Sequence, residues 1–93
     1  MRYPKVVKIL EALEKMIQDK ETLLGVSDFK PDTSYVIINR DELEYDWQMS
    51  PQTVSASKIK AWVMDTRDRI EGSGIVEKRE MVMLQDAVKR VFG

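Results

Sequence analysis

The chain has 93 residues, a formal net charge of −1, and neither histidine nor cysteine. Histidine is the commonest metal ligand and titrates near neutral pH, and cysteine supplies thiolates and disulfides, so most acyl-transfer, zinc and redox chemistry lacks its usual residues. The near-neutral charge argues against a strong general affinity for nucleic acid or anionic membranes. We therefore expect one non-enzymatic domain over residues 1–93, cytoplasmic and without metal or cofactor.

The N-terminal segment predicts a long amphipathic helix over residues 4–24. Its apolar residues recur at three- and four-residue steps, which places them on one face of a helix. Pro4 suits a first helical position, and Gly25 suits the position just after the last one. Charges interrupt the apolar residues, so we expect neither a signal peptide nor a membrane span; these charges are Lys8, Glu11 and Glu14.

The next segment predicts a β-hairpin. After a predicted loop at residues 27–32, residues 33–38 are rich in β-branched and aromatic side chains, a composition typical of a strand. Beyond a turn at residues 39–42, four apolar residues alternate with polar ones, as in a strand with one buried and one solvated face. The four are Leu43, Tyr45, Trp47 and Met49.

Two further helices complete the predicted fold. Ser50 and Pro51 suit the cap and first position of a helix that runs to about Glu71, where glycines follow. Residues 75–92 predict a last helix, although residues 75–79 also fit a short strand. The expected fold class is α+β, with two long amphipathic helices and a C-terminal helix packed with a two-stranded β-hairpin.

An acidic cluster on the predicted second strand is the candidate partner-binding site. It consists of Asp41, Glu42, Glu44 and Asp46. A calcium loop needs oxygens that converge from a tight turn with glycine, which this segment lacks, so we expect no metal here. Carboxylates on a solvated face suit attraction of a basic partner. We therefore expect a small regulatory or inhibitor protein that acts by protein–protein binding, of the sort that mobile elements and bacterial operons encode.

An alternative function comes from residues 49–55, MSPQTVS. This string resembles the turn and the start of the recognition helix in helix-turn-helix DNA-binding proteins. It departs from their pattern at Glu44, where a small residue is usual, at Gln48, where glycine is usual, and at Ser57, where an apolar residue is usual. The resemblance implies a nucleic-acid partner, with base edges and phosphates contacted by Gln52, Thr53, Ser55, Lys58 and Lys60.

The stretch at residues 69–80, RIEGSGIVEKRE, adds a second resemblance. A helix followed by a glycine turn and a short basic run is similar to the approach to the wing in winged-helix regulators. It supports the same DNA-binding alternative.

The last predicted helix carries more apolar residues than one face can bury. Val82 and Met83 cannot both face the same core as Met81 and Leu84. Methionine also suits adaptable interfaces, and the chain has six. A spare apolar surface favours self-association, so we expect a homodimer or a larger oligomer.

Overall fold

The computed structural model describes residues 4–25, 38–72 and 75–93, and none of these residues lies in a strand. Its elements are α1 (Pro4–Leu23), α2 (Arg40–Met49), a 3₁₀ turn (Pro51–Thr53), α3 (Ala56–Glu71) and α4 (Lys78–Phe92). Helix α4 packs against α1, α2 and α3, and α1 also packs against α3. The C-terminal helix is therefore central to the described part of the fold.

Apolar side chains from α1, α2, α3 and α4 form one core. Trp62 of α3 is its largest fully buried side chain, and Leu84 and Val88 of α4 are also fully buried. Helix α1 contributes Leu10 and Ile17, whose spacing matches the helical face predicted from the sequence. Helix α4 provides buried residues along its whole length. Since α2 packs against α4, this packing sets the position of α2 in the fold.

The expected α+β class is wrong, because the residues predicted as the second strand form α2. Leu43 and Trp47 are 4% and 6% exposed, whereas Tyr45 and Met49 are 57% and 66% exposed. A strand places all four side chains on one face. A helix places residues four apart on the same face, so Leu43 and Trp47 share one face while Tyr45 and Met49 share another. The alternating segment is therefore a helix that buries two of its four apolar residues, Leu43 and Trp47.

Capping explains why α2 begins at Arg40. The Asn39 side chain accepts a hydrogen bond from the Glu42 backbone N–H at 3.3 Å. This contact satisfies one of the N–H groups that the first turn of a helix leaves unpaired. Asp41 and Glu42 add negative charge in that turn, where the helix dipole favours it. The predicted hairpin turn at residues 39–42 is thus the start of a helix.

The other predicted elements differ mainly at their ends. Helix α1 ends at Leu23, and Gly25 follows with φ of 82°, a conformation that favours glycine. The helix predicted from Pro51 begins at Ala56 instead, because the Ser55 side chain accepts from the Lys58 N–H at 3.2 Å. Residues 75–77 precede α4 without forming a strand. The predicted loop at 27–32 and residues 33–37 of the first predicted strand lie outside the described residues.

Candidate protein-binding surface

Helices α2 and α4 lie side by side and run in the same direction. Glu44 forms an ion pair with Arg79 at 3.7 Å, near the start of both helices. Four residues further along each helix, the Gln48 side-chain amide donates to the Met83 sulfur at 3.3 Å. Since the contacts ascend together along both helices, the pair is parallel. Both helices also contribute buried residues to the same core, so their faces away from the core adjoin.

A tryptophan fixes α2 against α4. The Trp47 Nε1 donates a hydrogen bond to an Asp86 carboxylate oxygen at 3.1 Å. The Arg90 guanidinium lies 5.5 Å from the centre of the Trp47 ring and 3.9 Å from Asp86. A cation over an indole face is attracted by the ring electrons. The buried side of α2 is therefore attached to α4 through apolar, hydrogen-bonded and cation–π contacts.

The opposite side of α2 exposes two large apolar side chains. Tyr45 and Met49 are one helical turn apart, and more than half of each is accessible to solvent. Asp41 and Glu42 are exposed in the same helix and form no ion pair with any residue that the structure describes. This face thus combines an aromatic ring, a flexible thioether and uncompensated negative charge.

The predicted acidic cluster is divided between the two sides of α2. Asp41 and Glu42 are exposed, whereas Glu44 and Asp46 are half-buried. Burial raises the pKa of the Glu44 carboxyl, Arg79 lowers it, and the neighbouring carboxylates raise it further. Glu44 therefore links α2 to α4, and only part of the predicted cluster remains open to a partner.

Helix α4 supplies the basic half of the same side of the molecule. Val82 is 57% exposed, and it lies between Lys78 and Lys89, which are exposed and form no ion pair with a described residue. Of the two residues predicted to leave spare apolar surface, Val82 is exposed while Met83 contacts Gln48. The sequence therefore identified the exposed apolar position on α4, but it did not identify the exposed apolar residues Tyr45 and Met49 on α2.

We call the combined area the α2–α4 surface. Its α2 part consists of Asp41, Glu42, Tyr45 and Met49. Its α4 part consists of Lys78, Val82 and Lys89.

Of the five residues predicted to contact DNA, four are exposed and Lys60 is buried. Gln52 and Thr53 are exposed in the 3₁₀ turn, and Lys58 is exposed on α3. The Ser55 hydroxyl caps α3. Lys60 is 8% exposed and donates from Nζ to Glu21 of α1 at 2.7 Å. Lys60 thus lies in the contact between α3 and α1.

Two ion pairs join α1 to α3. Besides the Glu21–Lys60 pair, Arg67 of α3 binds Glu14 of α1. In each glutamate the Oε1 atom is buried and has no hydrogen-bond partner among the described residues. The Glu21–Lys60 pair is buried, and such a pair costs desolvation and offers little net stability, but loss of one partner is expensive. These pairs fix how α1 packs against α3.

A buried glutamate fixes the start of α4 against α3. Glu80 is 4% exposed and accepts hydrogen bonds from the Trp62 Nε1 at 3.0 Å and from the Arg69 guanidinium. Arg69 also donates to Asp65 at 3.0 Å and to the Ile75 carbonyl at 3.1 Å. Burial lowers the pKa of Arg69, but the hydrogen bonds and charges of Glu80 and Asp65 raise it above its usual value. Sequence reasoning missed this network, because it joins residues on different elements.

Above this network lies a cleft of about 620 Å³. Arginines and carboxylates line it in nearly equal number, and most of them pair with one another. Arg40, for example, lies 3.6 Å from Asp65 and 4.0 Å from Glu80. Since the charges neutralise each other, the cleft has no strong preference for either sign of ligand.

Residues 4–25, 38–72 and 75–93 hold no cluster of three or more potential metal-ligating side chains. None of the helices in these ranges combines the length and apolar character needed to cross a membrane.

No protein-family model, curated protein sequence or solved structure shows significant similarity to this chain.

Proposed function

We propose that this chain is a small non-enzymatic regulatory or inhibitor domain that acts by protein–protein binding through the α2–α4 surface. The observation that carries the proposal is the exposure of Tyr45 and Met49 on a helix whose other large apolar residues are buried. A ten-residue helix that buries only Leu43 and Trp47 has its outer face available for a partner.

The chemistry of the surface supports a protein partner. Tyrosine and methionine are enriched in protein interfaces, and aromatic residues are frequent among those that dominate binding energy. Asp41 and Glu42 at the edge of the apolar pair suit attraction of a basic partner surface, because charges at an interface rim mainly increase association rate and specificity. Both the apolar pair and the charges are fixed to the fold through Trp47.

DNA binding is the second candidate. The exposed side chains of Gln52, Thr53 and Lys58, at the turn before α3, favour it. Against it, Lys60 is engaged with Glu21 of α1, so only one of the two lysines predicted to contact phosphates is exposed. Protein binding therefore accounts for more of the exposed features.

Photo-crosslinking distinguishes these functions. A benzophenone amino acid replaces Tyr45 in one variant and Gln52 in another, and the variants are irradiated in cells that naturally express the protein. Replacement of Glu11, which is exposed on α1, provides the matched control. We expect protease-sensitive, nuclease-resistant adducts at position 45, and far fewer at positions 11 and 52.

Two results would overturn the proposal. One is a nuclease-sensitive adduct at position 52 with none at position 45, which would favour DNA binding. The other is equal crosslinking at positions 45 and 11, which would show no preference for the α2–α4 surface. The masses of the adducts also separate a second copy of the chain from a different protein.

A further inference from the structure

We propose that a second copy of this chain covers the α2–α4 surface, with α2 of each copy packed against α4 of the other. This inference rests on the proposed function and names the partner. It draws on the charges, the spacing and the direction of the two helices.

The two halves of the surface carry opposite unpaired charges. Asp41 and Glu42 on α2 have no ionic partner among the described residues, and the same holds for Lys78 and Lys89 on α4. By contrast, Glu44 and Arg79 already bridge the helices within one copy. A surface that is acidic on one side and basic on the other is complementary to itself.

The spacing of charged and apolar residues agrees on the two helices. On α2, the acidic Asp41 precedes the exposed Tyr45 by four residues, and on α4 the basic Lys78 precedes the exposed Val82 by four residues. Residues four apart on a helix occupy the same face one turn apart. When α2 of one copy lies parallel to α4 of another, a carboxylate can meet a lysine while the tyrosine meets the valine.

The parallel direction of α2 and α4 permits this pairing in a closed dimer. A two-fold axis that runs along the helices preserves their direction, so it places α2 of one copy parallel to α4 of the other. Such an axis also forms each contact twice, as in the usual isologous dimer. The pairing thus needs no further copies to complete it.

The contacts between α2 and α4 within one copy also show which residues of the two helices lie at the same level along the helix axes. Glu44 lies level with Arg79, and Gln48 lies level with Met83. By these contacts Asp41 and Tyr45 lie about two residues before the levels of Lys78 and Val82, and by the Trp47–Asp86 contact they lie about two residues after them. Two residues of helix rise about 3 Å, a distance that lysine and tyrosine side chains can span.

Charge exchange tests this arrangement. Sedimentation equilibrium is measured for the wild type, for Asp41→Lys and for Lys78→Asp. Each single substitution places like charges together twice in the dimer, so we expect the dissociation constant to rise about tenfold or more. An equimolar mixture of the two variants restores opposite charges at both contacts, and it should form a mixed dimer with near wild-type affinity.

Two controls change charge outside the surface, Glu11→Lys on α1 and Lys58→Asp on α3. Both positions are exposed, and both variants should dimerise like the wild type. Recovery in the mixture also shows that the single variants are folded.

A wild type that remains a 10.8 kDa monomer at high micromolar concentration would overturn the inference. So would a mixture that fails to associate while the wild type dimerises, because the contact would then lie elsewhere. If the wild type is monomeric but position 45 crosslinks to a different protein, the proposed function stands and only the second copy is excluded.

Discussion

The indole nitrogen of Trp47 donates a hydrogen bond to the carboxylate of Asp86 at 3.1 Å, and so joins α2 to α4. The two residues are 39 positions apart in the chain, so the contact depends on tertiary packing. It orients the short helix α2, with Trp47 facing inward and Tyr45 facing solvent. The candidate binding surface depends on this orientation.

Truncation of two aromatic residues tests that orientation. Trp47→Ala should lower the free energy of unfolding by about 3–5 kcal/mol, because a buried ring leaves a cavity. Tyr45→Ala, two positions away but exposed, should change it by less than about 0.5 kcal/mol at protein concentrations where the chain is monomeric. Urea unfolding followed by circular dichroism measures both. Similar losses at the two positions would contradict the assignment of opposite faces.

The helix cap provides a prediction at the other end of α2. Asn39→Ala removes the acceptor for the Glu42 N–H and should cost about 0.5–2 kcal/mol. Asn39→Asp and Asn39→Ser keep a capping oxygen and should retain most of the stability. Denaturant unfolding of the three variants measures the effect. An alanine variant as stable as the serine variant would show that residue 39 does not cap a helix.

Glu44 should make stability depend on pH. Its folded pKa is raised above the ordinary value of 4.5, chiefly by burial. This group therefore favours folding at pH values below its unfolded pKa, and the contribution is lost as pH rises through the folded pKa. Glu44→Gln should be more stable than the wild type at pH 7, and the gain should disappear as the pH falls below about 4.5.

Urea unfolding from pH 3 to 8 checks this prediction. Glu42→Gln removes the same charge from an exposed position on the same helix and provides the control. A Glu44→Gln variant that is less stable than the wild type at pH 7 would show that attraction to Arg79 outweighs the cost of burial.

The buried Glu21–Lys60 pair gives a fourth stability prediction. Both side chains are about 10% exposed. Lys60→Met takes this cation from the buried Glu21 carboxylate, and Glu21→Leu removes the carboxylate that the Lys60 Nζ contacts. Each single change should cost about 3–5 kcal/mol, and the double variant should cost less than either. A double-mutant cycle measures the coupling. Additive losses would show that the two side chains do not act as a pair.

The sequence predicted the long helices better than α2, because long helices show more of their period. Helix α1 repeats its apolar face over 20 residues, whereas α2 buries only Leu43 and Trp47 in ten residues. A separation of four residues fits one face of a helix and also one face of a strand. The signal that favoured the helix was Asn39 followed by acidic residues, a pattern typical of a helix start.

The candidate surface was predicted only in part. Its acidic residues Asp41 and Glu42 and its apolar Val82 were identified, since charge and surplus hydrophobicity can be read along the chain. Tyr45 and Met49 were expected to be buried, because the wrong period assigned them to the inner face. The Glu80–Arg69 and Glu21–Lys60 contacts were not predicted, since which carboxylate meets which cation depends on helix packing.

Nuclear magnetic resonance of residues 40–49 tests the central claim most directly, that α2 is a helix with Trp47 inside and Tyr45 outside. We expect downfield Cα shifts and sequential amide–amide contacts throughout this range. At a protein concentration low enough for the chain to be monomeric, a soluble paramagnetic agent should broaden the Tyr45 ring signals and leave the Trp47 indole N–H signal sharp. Upfield Cα shifts with equal protection of the two rings would instead indicate a strand with one buried face, and would contradict the proposed binding surface.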